Sequence, residues 1–218
     1  MSFLAAVCLF HSTLFAPQNQ VSEVVASEDV WVYPHATDPG ADAFLRVFGI
    51  GGKSVAPTVA DIENFSYGYL KFNLSSIQAG KELVSATLQL TCATKVAIDP
   101  ASKDWPLEAR GLSAVFDEKK FVFENAAKIS PTESLYGTGV VTEGEIDKEA
   151  RIIKINLLDK KSKFSEDVKA YLGNSKPMCL ALTSKYDVAE MGMKGIYKVF
   201  SKDNKDSVVR PRLILEFK

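Results

Sequence analysis

Residues 200–217 read Phe200-Ser-Lys-Asp-Asn-Lys-Asp-Ser-Val-Val-Arg-Pro-Arg-Leu-Ile-Leu-Glu-Phe217. A polar, turn-rich loop leads into Arg210-Pro211, and Leu213, Leu215 and Phe217 then fall on one face of an extended chain. Proline fits the first residue of a strand, because its missing N–H breaks no ladder hydrogen bond there. The pattern predicts a β-strand with one buried face directly after Pro211.

The same period-two alternation recurs along the chain. The clearest case is Tyr67–Leu74, whose Leu70, Phe72 and Leu74 share one face. Further strands are predicted at Val30–Tyr33, Phe44–Phe48, Leu83–Cys92, Leu107–Val115, Arg151–Leu157, Pro177–Thr183 and Ile196–Phe200. Phe164–Leu172 is the one predicted helix, whereas Ser130–Gly144 is predicted to be an irregular polar loop. These signals indicate an all-β antiparallel β-sandwich of jelly-roll type with one short helix.

Length and charge narrow the function classes. The chain has 218 residues, of which 46% are hydrophobic, and this is typical of one globular domain. Its formal net charge is −1, from 26 basic and 27 acidic residues, without a basic stripe. We therefore expect no nucleic-acid partner. The first apolar run is too short to cross a bilayer, so we expect no membrane span.

Residues 1–26 are predicted to be a secretory signal and an N-terminal tail, followed by a single module at 27–218. The apolar run Phe3–Phe10 resembles the hydrophobic region of a signal peptide, although no lysine or arginine precedes it. This interpretation predicts a secreted or cell-surface protein. A misassigned start codon and a buried N-terminal strand are the alternatives.

The cysteines and histidines give few further constraints. In an exported protein, Cys92 and Cys179 could form a disulfide, or they could be two separate thiols in different strands. The only histidines are His11 and His35, and no Cys/His cluster has the spacing of a zinc site.

Several short segments follow one another in a recognisable order. They are Asp29-Val-Trp-Val, Leu45-Arg-Val, Tyr69-Leu-Lys-Phe-Asn-Leu-Ser-Ser, Val84-Ser-Ala-Thr-Leu-Gln-Leu, Phe116-Asp-Glu, Phe121-Val-Phe-Glu-Asn-Ala, Ser201-Lys-Asp-Asn and Arg210-Pro-Arg-Leu. Together they resemble the DNRLRE-type β-sandwich modules, which are grouped as carbohydrate-binding module family 96. In the segments Phe116-Asp-Glu and Phe121-Val-Phe-Glu-Asn-Ala, phenylalanine stands where that family has tryptophan. The resemblance implies a secreted, non-catalytic module that binds polysaccharide, in some relatives the acidic polysaccharide alginate.

A candidate ligand-binding face lies on the predicted strand Tyr67–Leu74. Tyr67, Tyr69 and Lys71 alternate outward there, and Arg46 is expected on a nearby strand. Aromatic rings stack on the apolar faces of sugars, and cations pair with uronate carboxylates. An ordinary solvated sheet face is the alternative. Trp105 is either an exposed stacking platform or a plug at one end of the sandwich, and Trp31 is expected in the core or at its rim.

A structural calcium ion is a further expectation, because jelly-roll binding modules often hold one near their paired terminal strands. Calcium prefers six to eight oxygen ligands. The candidate ligands are Glu28, Asp29, Asp203, Asn204 and Asp206. Carboxylates that merely cap loops are the alternative. Arg210 is expected to form an ion pair with Asp29, Glu28 or Asp203, or to recognise a ligand carboxylate.

Catalysis is not expected. Ser/His/Asp chemistry would depend on His35 alone if the N-terminal segment is removed, and the chain has no Gly-x-Ser-x-Gly element. Paired carboxylates such as Asp117–Glu118 could in principle hydrolyse a glycoside. The alternatives to carbohydrate binding are therefore a structural or adhesive module that contacts a protein in an extracellular assembly, and a small polysaccharide lyase or hydrolase.

Overall fold

The computed structural model describes residues 19–58, 60–93, 105–140, 151–159, 161–188 and 196–218. These residues form two antiparallel sheets and one short α-helix, which confirms the predicted all-β sandwich. The strands are β1 (Gln20–Val25), β2 (Glu28–Val32), β3 (Phe44–Val47), β4 (Tyr67–Phe72), β5 (Leu83–Cys92), β6 (Leu107–Leu112), β7 (Pro131–Gly139), β8 (Arg151–Asn156), β9 (Met178–Ser184), β10 (Tyr197–Phe200) and β11 (Arg212–Phe217). The helix α1 spans Phe164–Asp167. Single 3₁₀ turns lie at Ala60–Asn64, Glu118–Lys120, Phe123–Ala127, Val168–Ala170 and Ser207–Val209.

The chain passes repeatedly from one sheet to the other. The β5 sheet has the strand order β1-β11-β5-β10-β3, and β8 also pairs with β5. The β4 sheet has the order β2-β4-β9-β6-β7. Strands β2 and β3 are therefore edge strands of different sheets, and they come together along one side of the sandwich.

The main core fills the space between the two sheets. The predicted inward residues are fully buried there, among them Leu70, Leu88, Leu90, Leu213 and Leu215. Because side chains alternate across a strand, each of these strands presents one apolar row to the core. The strand after Pro211 and its buried face are thus confirmed.

A second apolar cluster lies on the outer face of the β4 sheet. Residues 50–58, 60–65 and 113–130, which we call the covering layer, pack over that face. Phe65, Phe116 and Ala126 of this layer are buried against Tyr67 and Tyr69 of β4. The β4 sheet is therefore buried on both faces, between the main core and the covering layer.

The prediction of an irregular loop over Ser130–Gly144 is wrong for residues 131–139, which form strand β7. Residues 141–144 lie outside the described residues. A Cβ atom on Gly137 would lie 2.0 Å from the Asn156 carbonyl oxygen, and one on Gly139 would lie 2.8 Å from Ile153 Cγ2. Glycine permits this close approach of β7 to β8. It also removes the apolar side chains whose alternation would have predicted a strand.

The sandwich begins before the predicted boundary at residue 27. Strand β1 pairs antiparallel with β11, from Gln20 opposite Phe217 to Val25 opposite Arg212. Its sequence, Gln-Val-Ser-Glu-Val-Val, shows no regular apolar alternation, and its side chains are exposed or half-buried because it is an edge strand. Residues 1–18 lie outside the described residues, so secretion stays a prediction.

The predicted helix is shorter than its sequence pattern suggested. Helix α1 ends at Asp167 and continues as a 3₁₀ turn. At the helix start, the Ser162 hydroxyl accepts a hydrogen bond from the Phe164 N–H at 3.0 Å.

The cysteines form no disulfide with each other. Cys92 is buried on the inner face of β5, whereas Cys179 packs on the outer face of β9 in the other sheet. The alternative of two separate thiols is therefore correct. Burial raises the pKa of the Cys179 thiol to about 11, so the protonated thiol predominates at neutral pH.

Candidate functional site

A groove runs along the side of the sandwich where β2 and β3 meet, and we call it the rim groove. It consists of two adjoining depressions of about 520 and 450 Å³, and Trp31 and Arg46 line both. The first depression is also lined by Tyr33, Phe48, Glu63 and Asp187, and the second by His35, Asp38 and Asp42. This position lets residues from two sheets converge on one elongated surface.

Aromatic rings form one wall of the rim groove. The rings of Trp31 and Tyr33 are nearly parallel, with an interplanar angle of 12° and centroids 5.8 Å apart. The ring of Phe48 meets Tyr33 edge-on at 5.8 Å, and that of His35 does so at 5.4 Å. Trp31 and Tyr33 share one side of the chain because they are two residues apart in an extended segment. Both are only partly buried.

Arg46 connects the two depressions. Its guanidinium lies 4.6 Å from the centroid of the Trp31 ring, which is a cation–π contact. Its Nη1 also pairs with Asp42 Oδ2 at 2.5 Å. Arg46 therefore keeps a partly exposed charge in the groove, and that charge is already balanced by a carboxylate.

The floor of the first depression depends on Gly49. The Gly49 N–H donates to the Tyr186 carbonyl at 2.7 Å, and a Cβ atom on Gly49 would lie 2.0 Å from the Ser184 carbonyl oxygen. Asp187 then reaches back to accept a hydrogen bond from the Gly51 N–H at 3.3 Å. Only glycine fits at position 49, because any Cβ atom there would clash with the backbone at the end of β9.

One donor at the site lacks an acceptor. Trp31 Nε1 is shielded from solvent and has no hydrogen-bond partner among the described residues. Buried donors without partners are rare in native structures, and they call for an explanation such as an unseen ligand or water.

The predicted face on β4 is not exposed. Tyr67, Tyr69 and Lys71 do point to the outer side of their sheet, as the alternation predicted, but the covering layer buries all three. The expectation of an open stacking surface at these residues is therefore wrong. The alternation of side chains along a strand predicts on which face of the sheet a residue lies. It does not predict whether another layer of the protein covers that face.

Hydrogen bonds tie this face to the covering layer. The Tyr67 hydroxyl accepts from the Ala56 N–H at 2.7 Å, and the Tyr69 hydroxyl donates to the Ile129 carbonyl at 2.6 Å. Lys71 Nζ pairs with Glu28 Oε2 at 2.6 Å. Burial raises the pKa of Tyr67 to about 12, and burial also raises the pKa of Tyr69. Both hydroxyls therefore stay protonated and serve as structural contacts.

A buried ion pair lies under the same layer. Arg110 Nη2 contacts Glu108 Oε2 at 2.8 Å and the Ser54 hydroxyl at 2.9 Å, and Thr183 donates to the same Glu108 oxygen at 3.0 Å. Glu108 and Arg110 are both buried. These contacts satisfy the charges in place, and the pair is accordingly structural.

Trp105 packs against Tyr186 and does not line the rim groove. The two rings meet edge-on with centroids 6.1 Å apart, and the Trp105 carbonyl accepts from the Tyr197 hydroxyl at 2.9 Å. These contacts leave Trp105 half-buried, and its role as a stacking platform or as a plug stays a prediction.

Only two of the five predicted calcium ligands come together. Asp29 and Asp203 lie in a cluster with Glu118, which the sequence did not single out as a ligand. Glu28 pairs instead with Lys71, while Asn204 and Asp206 accept hydrogen bonds from backbone N–H groups in their own loop. Arg210 donates to the Asn204 carbonyl at 3.0 Å. Loop capping, the alternative prediction, thus describes Asn204 and Asp206.

An ammonium group lies within the acidic cluster. Lys202 Nζ is 2.9 Å from Glu118 Oε1 and 2.7 Å from Asp203 Oδ1, and the Lys202 N–H donates to Asp29 Oδ2 at 2.6 Å. A calcium ion would have to displace this ammonium to reach the carboxylates. The residues in this arrangement therefore do not fit a calcium ion.

Asp29 carries an unusual charge state. It is 1% exposed, and its Oδ1 has no hydrogen-bond partner among the described residues. Burial, reinforced by the negative charges of Glu118 and Asp203, raises the pKa of Asp29 from 3.8 to about 7, although the Lys202 N–H opposes the shift. Asp29 is therefore partly protonated near neutral pH.

Comparison with known proteins gives no family. No model of a known protein family matches the chain, and no curated protein sequence matches it. The resemblance to DNRLRE-type modules depends on the quoted segments alone. In the described parts of the chain, no helix is long and apolar enough to cross a membrane.

Proposed function

We propose that this protein is a non-catalytic polysaccharide-binding module and that the rim groove is its glycan-binding site. The observation that carries the proposal is the pair of nearly parallel rings of Trp31 and Tyr33 in an elongated groove at the sandwich edge. Parallel aromatic faces of this kind suit the apolar C–H faces of sugar rings.

Polar groups around the rings support the same proposal. The groove contains the amide of Asn64, the carboxylates of Glu63 and Asp187, and the guanidinium of Arg46, all able to bind sugar hydroxyls. Trp31 Nε1 would also gain a missing acceptor if a glycan oxygen reached it. The volumes of the two depressions lie within the usual range of about 300–1,000 Å³ for small-ligand sites.

Affinity electrophoresis on gels that contain different polysaccharides would test the proposal. Wild-type protein should be retarded by at least one glycan, and Trp31→Ala and Tyr33→Ala should each weaken binding by about tenfold or more. The matched control is Tyr171→Ala, which removes a partly buried tyrosine with its own lysine neighbour outside the groove. This variant should bind as the wild type does.

Other results would favour the remaining hypotheses. Release of reducing ends or unsaturated uronates from the same glycans would indicate an enzyme. The absence of retardation on every glycan, with folded protein, would reject the proposal and leave the protein-binding module as the working hypothesis.

A further inference from the structure

The charges of the rim groove are predominantly negative. Among the described residues, its lining contains one guanidinium, that of Arg46, the imidazole of His35, and four carboxylates, those of Asp38, Asp42, Glu63 and Asp187. Asp42 already neutralises Arg46. Glu63 and Asp38 add two further negative charges to the described lining, and they outnumber the one additional positive charge that His35 could supply.

Two of these carboxylates are available to a ligand. Glu63 lies in the 3₁₀ turn Ala60–Asn64 at the first depression, and Asp38 lies in a turn at the second. Both residues are exposed, and neither carboxylate has a hydrogen bond or ion pair with another described residue. Glu63 and Asp38 thus extend the negative potential along both halves of the groove.

This charge distribution disfavours an acidic glycan. A uronate polymer would bring a negative charge with every sugar unit, and like charges brought together across an interface weaken binding. A sugar that carries a protonated amine would instead meet carboxylates and the faces of aromatic rings, and both attract a cation. The Tyr33 ring and the face of the Trp31 ring that does not hold the Arg46 guanidinium provide those faces beside the carboxylates.

We propose that the rim groove selects polysaccharides whose sugar units carry protonated amines, such as glucosamine polymers, over neutral and acidic ones. This inference rests on the proposed function, because it assigns a ligand class to the same groove. Stacking on the aromatic wall supplies the common affinity for sugars, and the carboxylates of Glu63 and Asp38 supply the preference for amines.

Titration calorimetry at mildly acidic pH would test this inference with oligosaccharides of equal length. The three ligands are a glucosamine oligomer, its N-acetylated neutral counterpart and a mannuronate oligomer. We expect the glucosamine oligomer to bind most tightly and the mannuronate oligomer most weakly. Added salt should weaken binding of the glucosamine oligomer and leave binding of the neutral oligomer nearly unchanged.

Variants separate charge from stacking. Glu63→Gln and Asp38→Asn should each weaken binding of the glucosamine oligomer about twofold to fivefold and leave the neutral oligomer unaffected. The matched control is Glu124→Gln, because Glu124 is also an exposed residue in a five-residue 3₁₀ turn but lies outside the groove. Trp31→Ala should weaken binding of both oligomers.

The outcomes distinguish this inference from the proposed function. If the neutral or the acidic oligomer binds at least as tightly as the glucosamine oligomer, and Trp31→Ala abolishes that binding, the amine preference is wrong and the glycan site stands. If no oligosaccharide binds in a way that depends on Trp31, both are wrong.

Discussion

The outer faces of the two sheets differ in what lies on top of them. On the β5 sheet, Ser85, Thr87 and Gln89 of β5 are partly exposed, and no second apolar cluster is found there among the described residues. On the β4 sheet, Tyr67 and Tyr69 occupy the corresponding outward positions and are buried beneath the covering layer. Both faces show the same alternation, so only the neighbouring layer distinguishes an exposed row from a buried one.

This contrast also explains where the candidate site lies. The covering layer closes the outer face of the β4 sheet. The outer face of the β5 sheet carries one aromatic pair among the described strand residues, Phe44 and Phe200, whose ring centroids are 5.2 Å apart. At the side of the sandwich between β2 and β3, by contrast, aromatic and charged side chains from both sheets line two adjoining depressions. A site at the junction of two edge strands can draw on residues that are distant in sequence.

Tyr69→Ala should have the largest effect on stability. We expect the free energy of unfolding to fall by about 4 kcal/mol, because the substitution empties a fully buried site and leaves the Ile129 carbonyl without its hydrogen bond. Thr87→Ala, the control on the exposed face, should cost less than about 0.5 kcal/mol. Urea denaturation measures both. Equal costs would show that the covering layer does not pack on the sheet.

Arg110→Ala should cost about 3 kcal/mol, since it leaves the Glu108 carboxylate buried without its cation. The double variant Glu108→Leu/Arg110→Met should recover much of this loss, because it replaces both charges by apolar groups. Thermal unfolding of the three proteins tests the point. A double variant as unstable as Arg110→Ala would argue against a purely structural pair.

Asp29→Asn should change the pH dependence of stability. The folded state holds a proton on Asp29 between the ordinary pKa of 3.8 and about 7, whereas the unfolded state releases it. The free energy of unfolding of the wild type should therefore fall as pH rises through this window, by a few kcal/mol in all. Asparagine removes this component, so the variant should gain stability relative to the wild type toward pH 7.

Asp206→Asn is the control for this measurement, because Asp206 is an exposed loop-capping residue near the same cluster. Its pH profile should follow that of the wild type. A wild-type profile that Asp29→Asn leaves unchanged would place the Asp29 carboxyl in a more polar environment than the structure indicates.

Calcium should have the smallest effect. With the Lys202 ammonium between Glu118 and Asp203, we expect millimolar calcium to change the free energy of unfolding by less than about 0.5 kcal/mol. Lys202→Met removes the ammonium and should make the unfolding temperature more sensitive to calcium. A strong stabilisation of the wild type by calcium would show that Lys202 moves aside.

The strands were predictable wherever side chains of strong contrast alternate. The alternation on β4 and β11 predicted both the strands and their buried faces, which carry Leu70 and Phe72 on β4 and Leu213 and Leu215 on β11. Strand β7 was not predicted, because Gly137 and Gly139 occupy its close-packed side and leave no apolar alternation. Strand β1 was not predicted, because an edge strand buries little side-chain area and needs no apolar row.

The site was predictable only in part. Arg46 was expected to bind a ligand and does line the rim groove, whereas Tyr67, Tyr69 and Lys71 are covered. Trp31 was expected in the core or at its rim, and it lies at the rim as the centre of the aromatic wall. The spacing of Trp31 and Tyr33 in the opening strand was the available signal. Glu63 and Asp187 gave no signal, because they lie in segments without a regular pattern. Phe48 ended the predicted strand Phe44–Phe48, where nothing marked it as a binding residue.

The amino-acid sequence by itself determined that this chain forms a two-layered antiparallel sandwich, because a strand's side chains alternate with a period of two and burial selects the apolar row. Tertiary structure alone decided which outward row is covered and which edge strands meet. Those outcomes depend on contacts such as Tyr69 with Ile129 and Trp31 with Arg46, between residues far apart in the chain. No local pattern encodes such contacts, since they arise only when the two sheets and the covering layer pack together.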